Sequence, residues 1–167
     1  MPAAGDGGLR RLTHGEFEVQ EAAMSLDRRS LLFCSNQNDP ERRHLGRAPA
    51  NGGQTEEVTT GDGLEWSPVE LAGGAVAFLR SGARHPAQPS ILTGGVMRDL
   101  MAGRLAAGFP ETALVAPQPV VFYAQDGVRV RGQLFPPEGV KAGERRAAII
   151  FLHGGPQRQM MPGWHPS

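Results

Sequence analysis

The chain has 167 residues, enough for one domain or two partial ones. Lysine plus arginine and aspartate plus glutamate number 17 each, so the net charge is zero, which argues against a general polyanion or nucleic-acid binder. The single cysteine, Cys34, excludes an internal disulfide, and no apolar run reaches the roughly 18 residues of a membrane-spanning helix.

With 23 glycines and 14 prolines the chain suits many short strands joined by tight turns. Its first residues, M-P-A-A-G-D-G-G-L-R-R, contain no apolar core of a secretory leader, leaving the cytoplasm as the default compartment. Residues 1–8 read as a frayed lead-in. A pattern then begins that returns. Leu12-Thr13-His14-Gly15 recurs as Val58-Thr59-Thr60-Gly61, and Met24-Ser25 as Trp66-Ser67. Leu31-Leu32-Phe33 recurs as Val76-Ala77-Phe78, and Asn51-Gly52-Gly53 as Thr93-Gly94-Gly95. A period in the forties with about four short strands per repeat is the range of propeller blades.

In the first repeat strands are expected over residues 18–24, 31–35, 43–48 and 54–59. The second is apolar enough to be buried on both faces. In the second repeat they are expected over 64–67, 75–80, 90–93 and 96–100. One blade cannot cover both of its own faces, and about three repeats are usually needed for stability. Two blades alone therefore suggest an internal piece of a longer ring.

Residues 101–118 read as a junction: a short helical turn weakened by Gly103 and Gly108, then an extended stretch stiffened by Pro110, Pro117 and the following Pro119. Residues 120–124 and 128–135 form a hairpin around Gln125-Asp126-Gly127, where Asp-Gly supplies the positive φ of a tight turn. Val128, Val130 and Gly132 share one face, and Arg129, Arg131 and Gln133 the other, as in a half-exposed edge hairpin. A charged loop leads to the apolar run 148–152, which reads as a buried strand. It stops at His153-Gly154-Gly155-Pro156, a loop whose glycines let backbone N–H groups approach a ligand.

The run V-V-F-Y-A-Q-D-G-V-R-V-R-G-Q-L-F-P-P from Val120 to Pro137, followed by I-I-F-L-H-G-G-P from Ile149 to Pro156, resembles the start of the catalytic domain in the prolyl oligopeptidase family of serine peptidases. That family carries a β-propeller ahead of an α/β-hydrolase domain. The resemblance implies a mainly β chain. Residues 1–100 would be about two blades of an incomplete propeller, 101–118 a linker, and 119–167 the truncated beginning of the hydrolase domain. It also makes His153, Gly154, Gly155 and Pro156 the oxyanion-hole loop, with Gly154 donating or shaping the hole and His153 holding the loop by hydrogen bonds. The family's nucleophilic serine sits in a G-x-S-x-G elbow, which this sequence does not contain. The triad's serine, aspartate and histidine are therefore expected beyond the chain's end, leaving the chain inactive alone. The implied activity is hydrolysis of short peptides, with a peptide substrate, no cofactor and no nucleic-acid or membrane partner. Two alternatives stay open: an esterase-type α/β-hydrolase, which shares the H-G-G loop, and a non-catalytic propeller module that binds a partner.

Other candidates carry blander expectations. His14, His44, His85 and His165, taken with Cys34, lack the spacing of metal ligands and read as exposed or capping residues. The pairs Arg42-Arg43 and Arg145-Arg146 read as solvated faces. Trp66 is expected to pack between blades, and Trp164 to line the mouth of the site.

Overall fold

A computed structural model describes residues 9–137, 139–141, 143–155 and 159–164. Among these residues ten antiparallel strands form three sheets. The first sheet is an up-and-down meander of β1 (Val19–Met24), β2 (Ser30–Ser35), β3 (His44–Pro49) and β4 (Glu56–Glu57), hydrogen-bonded in that order. The second repeats it with β5 (Leu64–Glu70), β6 (Val76–Gly82), β7 (His85–Thr93) and β8 (Val96–Asp99). A hairpin of β9 (Gln118–Tyr123) and β10 (Arg129–Leu134) is the third. The repeated sequence segments fall at equivalent places: before β1 and β5, at the β1 and β5 strands, on β2 and β6, and in the β3–β4 and β7–β8 turns.

The first turn lacks the proline and glycine that would ease it. Arg28 takes the left-handed position instead, at φ 59°. Asp27 holds the turn together: its Oδ1 accepts from Ser25 Oγ at 2.7 Å and from the Arg29 N–H at 2.9 Å. Strand β4 is shorter than the pattern suggests. The N–H groups of Val58 and Thr59 both donate to the Leu45 carbonyl, and Thr59 Oγ1 accepts the Leu45 N–H at 2.8 Å, so a side chain replaces the next ladder rung. Strand β7 is longer than expected, although it contains Pro86 and Pro89. The Pro89 carbonyl faces the β8 side and accepts from Leu100, beyond the last strand pair Ser90–Asp99. Its missing N–H therefore falls where the ladder has already stopped.

One core joins the two meanders. Leu32 and Cys34 on β2, Leu45 on β3, and Val76 and Phe78 on β6 are buried together, with Val58, Trp66, Leu92 and Met97 packed around them. The i, i+2 spacing of Leu32 with Cys34 and of Val76 with Phe78 puts each pair on one strand face. Burying side chains of this size contributes about 1.5–3 kcal/mol each. On the opposite face of β2, Phe33 lies over its cross-strand partner Gly46, where any Cβ would strike the ring. Glycine in that strand is thus required by close approach, not by its turn geometry.

Strand β5 crosses against the first sheet and is tied to it at three points along its length. The Glu65 N–H donates to the Arg43 carbonyl at 2.8 Å. Ser67, at φ 52° in a bulge between Trp66 and Val69, donates its N–H and hydroxyl to Glu21 Oε2 at 2.7 and 3.1 Å. Glu70 accepts from the Leu26 N–H and from Arg47, both at 2.8 Å.

The run 148–152 is not a strand, which corrects the sequence expectation. It pairs with no sheet, and Ile149, Ile150, Phe151 and Leu152 are 79–98% exposed. An apolar run becomes a buried strand only if flanking strands take its N–H and C=O groups and something covers its faces. The described residues offer neither, since each of the three sheets is built without it and the only helical pieces are 3-10 turns at Ala72–Gly74 and Glu111–Ala113. The short helical turn expected near residue 101 is an isolated turn over residues 100–103.

Candidate functional site

The H-G-G loop stands in solvent. His153, Gly154 and Gly155 are exposed, and among the described residues the His153 imidazole approaches only the Gly154 carbonyl, at 3.4 Å. Gly155 has φ 86°, a left-handed conformation that favours glycine, and open space surrounds the position a Gly154 Cβ would occupy. Pro156 lies outside the described residues. Main-chain donors in such a loop stabilise a developing oxyanion well only where water is excluded and a nucleophile is held nearby. Among the described residues neither condition is met at this loop.

After the loop, residues 159–164 return to the meanders and dock on them. Gln159 donates through Nε2 to the Pro40 carbonyl at 2.7 Å and accepts at Oε1 from Arg43 at 2.9 Å. Gln133 of the hairpin donates to the Met160 carbonyl at 2.6 Å. The Trp164 N–H donates to the Gly82 carbonyl at 2.8 Å, and its ring meets Phe109 with centroids 5.9 Å apart. Gly163 lies so close to Leu64 that a side chain there would collide with it. The hairpin adds an ion pair, Arg131 to Glu41 at 2.8 Å.

Between this returning segment and the sheets is a cavity of about 380 Å³. Its floor is buried and formed by Arg43, Leu64 and Ser81. Half-buried Trp66, Met160, Met161 and Trp164 make apolar walls. Exposed Gln20, Glu21 and Gln159 form a polar rim. Residues from β1, β5 and β6, from the approach to β3, and from the returning segment converge on this hollow.

Two charged side chains are buried here: Arg43 in the cavity floor, and Glu65, whose backbone N–H meets the Arg43 carbonyl. Glu65 is fully buried. Its Oε2 lies 2.7 Å from His44 Nδ1 and accepts the Thr59 hydroxyl at 3.0 Å, while Arg80 reaches Oε1 at 3.3 Å. Arg43 is 3% exposed; it donates to the Arg42 carbonyl and to Gln159, each at 2.9 Å. Its nearest carboxylate, Glu18, is 3.5 Å away and largely exposed, and its Nε has no partner among the described residues.

These positions correct two sequence expectations. Arg43 is not part of a solvated basic face, because its place next to β3 turns it inward beneath the returning segment. His44 is neither exposed nor a cap; it opens β3, half-buried, and bonds a buried carboxylate. His14 is exposed, His85 begins β7 and lies 3.3 Å from Glu111, and His165 is outside the described residues. Trp66 packs against the core joining the two sheets, and Trp164 lines the cavity. The convergence of Arg43, Leu64 and Trp164 was not readable from spacing, since Trp164 lies 100 positions or more along the chain from the other two. Among the described residues no helix is long and apolar enough to cross a membrane.

No protein-family model matches this chain, and no curated protein matches it.

Proposed function

We propose that this chain is part of a serine-type peptidase resembling the prolyl oligopeptidase family. In this reading the two meanders are neighbouring blades of a β-propeller, and the hairpin with the H-G-G loop begins an α/β-hydrolase domain. The observation that carries the reading is the order of elements. Two repeated four-stranded meanders are followed by a D-G hairpin and then by an apolar run into H-G-G-P, after which the chain returns onto the meanders.

The exposure of residues 149–152 sets a condition on the reading. That run enters a sheet only when strands from outside these 167 residues flank it, and the same added residues must bring the serine, aspartate and histidine. Once enclosed, Gly154 and Gly155 N–H groups would face the oxygen of a tetrahedral intermediate, and the meanders would restrict access to short peptides. The reaction would be acyl transfer from a peptide bond to that serine, then hydrolysis of the acyl-enzyme.

The coding region around this sequence tests the proposal. It should encode G-x-S-x-G within about a hundred residues after Ser167. Its product should cleave peptide amides as well as p-nitrophenyl esters. Cleavage of esters alone would favour an esterase, and no elbow motif in that region would sink the peptidase reading.

A non-catalytic binding module is the second reading. One observation favours it: a cavity beside Arg43 is lined by described residues of this chain, whereas the H-G-G loop stands open to solvent.

A further inference from the structure

The cavity floor holds a buried cation whose carboxylate partner among the described residues, Glu18, is largely exposed and 3.5 Å away. Arg43 is buried, its two hydrogen bonds go to a carbonyl and a side-chain amide, and the only carboxylate near it among the described residues is the exposed Glu18 at 3.5 Å. A guanidinium has five N–H donors; among the described residues Arg43 Nε is unpartnered, and its four η N–H groups meet one carbonyl, one amide oxygen and the distant Glu18. A buried guanidinium is costly unless a carboxylate or phosphate meets it.

The walls say what else the ligand carries. Trp66 and Trp164 supply flat aromatic surface, while Met160 and Met161 supply adaptable thioethers, so an apolar or aromatic group is favoured there. The volume, about 380 Å³, is near the lower end of small-molecule sites, which run from roughly 300 to 1,000 Å³. That suits one residue-sized group and not an extended chain. At the rim, Glu21 is held by Ser67, and its negative charge disfavours a ligand with a second carboxylate.

From these features we propose that the cavity binds a monocarboxylate bearing one apolar or aromatic group, as the C-terminal residue of a peptide does. Arg43 takes the carboxylate at the floor. Trp66, Met160, Met161 and Trp164 enclose the apolar group. The site is built wholly from this chain and does not depend on the peptidase reading; it predicts binding without turnover.

The chain has two tryptophans and both line the cavity, so intrinsic fluorescence reports its occupancy. The full chain would be titrated with N-acetyl-phenylalanine, with the corresponding amide, and with the tripeptide Ala-Ala-Phe. The acid should give a saturable change and bind about tenfold tighter than the amide, as loss of one charge-assisted contact implies. Ala-Ala-Phe binding as well as the acid would identify a peptide terminus as the ligand; weaker binding would identify a free acid. Arg43→Gln should make acid and amide equivalent, and Arg43→Lys should restore part of the preference. Should Arg43→Gln fail to fold, Met161→Glu at the half-buried wall should abolish acid binding with an unchanged circular dichroism spectrum. Equal binding of acid and amide by the unmodified chain, or no saturable change with either, would overturn the proposal.

Discussion

Glu65 and His44 meet across the joint between the two meanders, with Glu65 Oε2 2.7 Å from His44 Nδ1. Glu65 is the first sheet's anchor on β5, because the Thr59 hydroxyl just past β4 bonds the same buried carboxylate, which Arg80 on β6 also reaches. Glu65→Ala would strand all three partners. A loss of about 3 kcal/mol is expected, as for other broken buried charge clusters. Glu65→Gln keeps some hydrogen bonds and should cost less. Urea unfolding of the three proteins checks this, and a change under about 0.5 kcal/mol in the alanine variant, the range of ordinary surface substitutions, would show that the cluster does not join the sheets.

Acid should loosen a second tie. The Leu26 N–H and then Arg47 hold the Glu70 carboxyl below its ordinary value of 4.5. A carboxyl depressed on folding adds stability that is present above the unfolded value and lost as pH falls through the lower folded one. Glu70→Gln should therefore be less stable than the unmodified chain at pH 7. The difference should shrink steadily below pH 4.5. A gap that stays constant down to pH 2.5 would contradict the role given to the charge.

Cys34 should be silent to thiol reagents. Burial pushes its thiol up to about 11, from 9.0, and the neighbouring Glu21 charge adds to the rise. The thiolate is the reactive form, so labelling by a disulfide reagent at pH 8 should be slow in the folded chain and fast in urea. The native state also keeps this proton longer than the unfolded state. Stability should accordingly fall with rising pH between 9 and 11. Rapid labelling without denaturant would place Cys34 outside the core.

The four consecutive exposed apolar residues from Ile149 to Leu152 make a surface that water does not favour. Ile150→Lys with Phe151→Lys should reduce concentration-dependent association in sedimentation velocity. The urea midpoint should not move by more than about 0.5 kcal/mol equivalent, because neither side chain packs on the core. A large drop in stability would mean the run is buried in solution.

The meanders were largely legible because alternation and turn chemistry are local signals. Leu31 to Ser35 reads as buried in sequence and is nearly so in the fold, and Asp126-Gly127 marks the hairpin turn that forms. The Asn51-Gly52-Gly53 and Thr93-Gly94-Gly95 turns also mark the repeat. What failed depended on partners distant in sequence. The run 148–152 looks like a strand by composition, but composition does not supply neighbouring strands. Arg43 looks like half of a solvated pair, yet Gln159, 116 residues away, closes over it. The short β4 could not be foreseen either, since the Thr59 hydroxyl leaves the ladder to serve Leu45 and Glu65.

The most direct measurement is fluorophosphonate labelling of the natural protein in which this sequence occurs, with the adduct located by mass spectrometry. The peptidase reading predicts one labelled serine, inside a G-x-S-x-G elbow beyond Ser167. A natural protein that takes no label, or an adduct on a serine within these 167 residues, would contradict it.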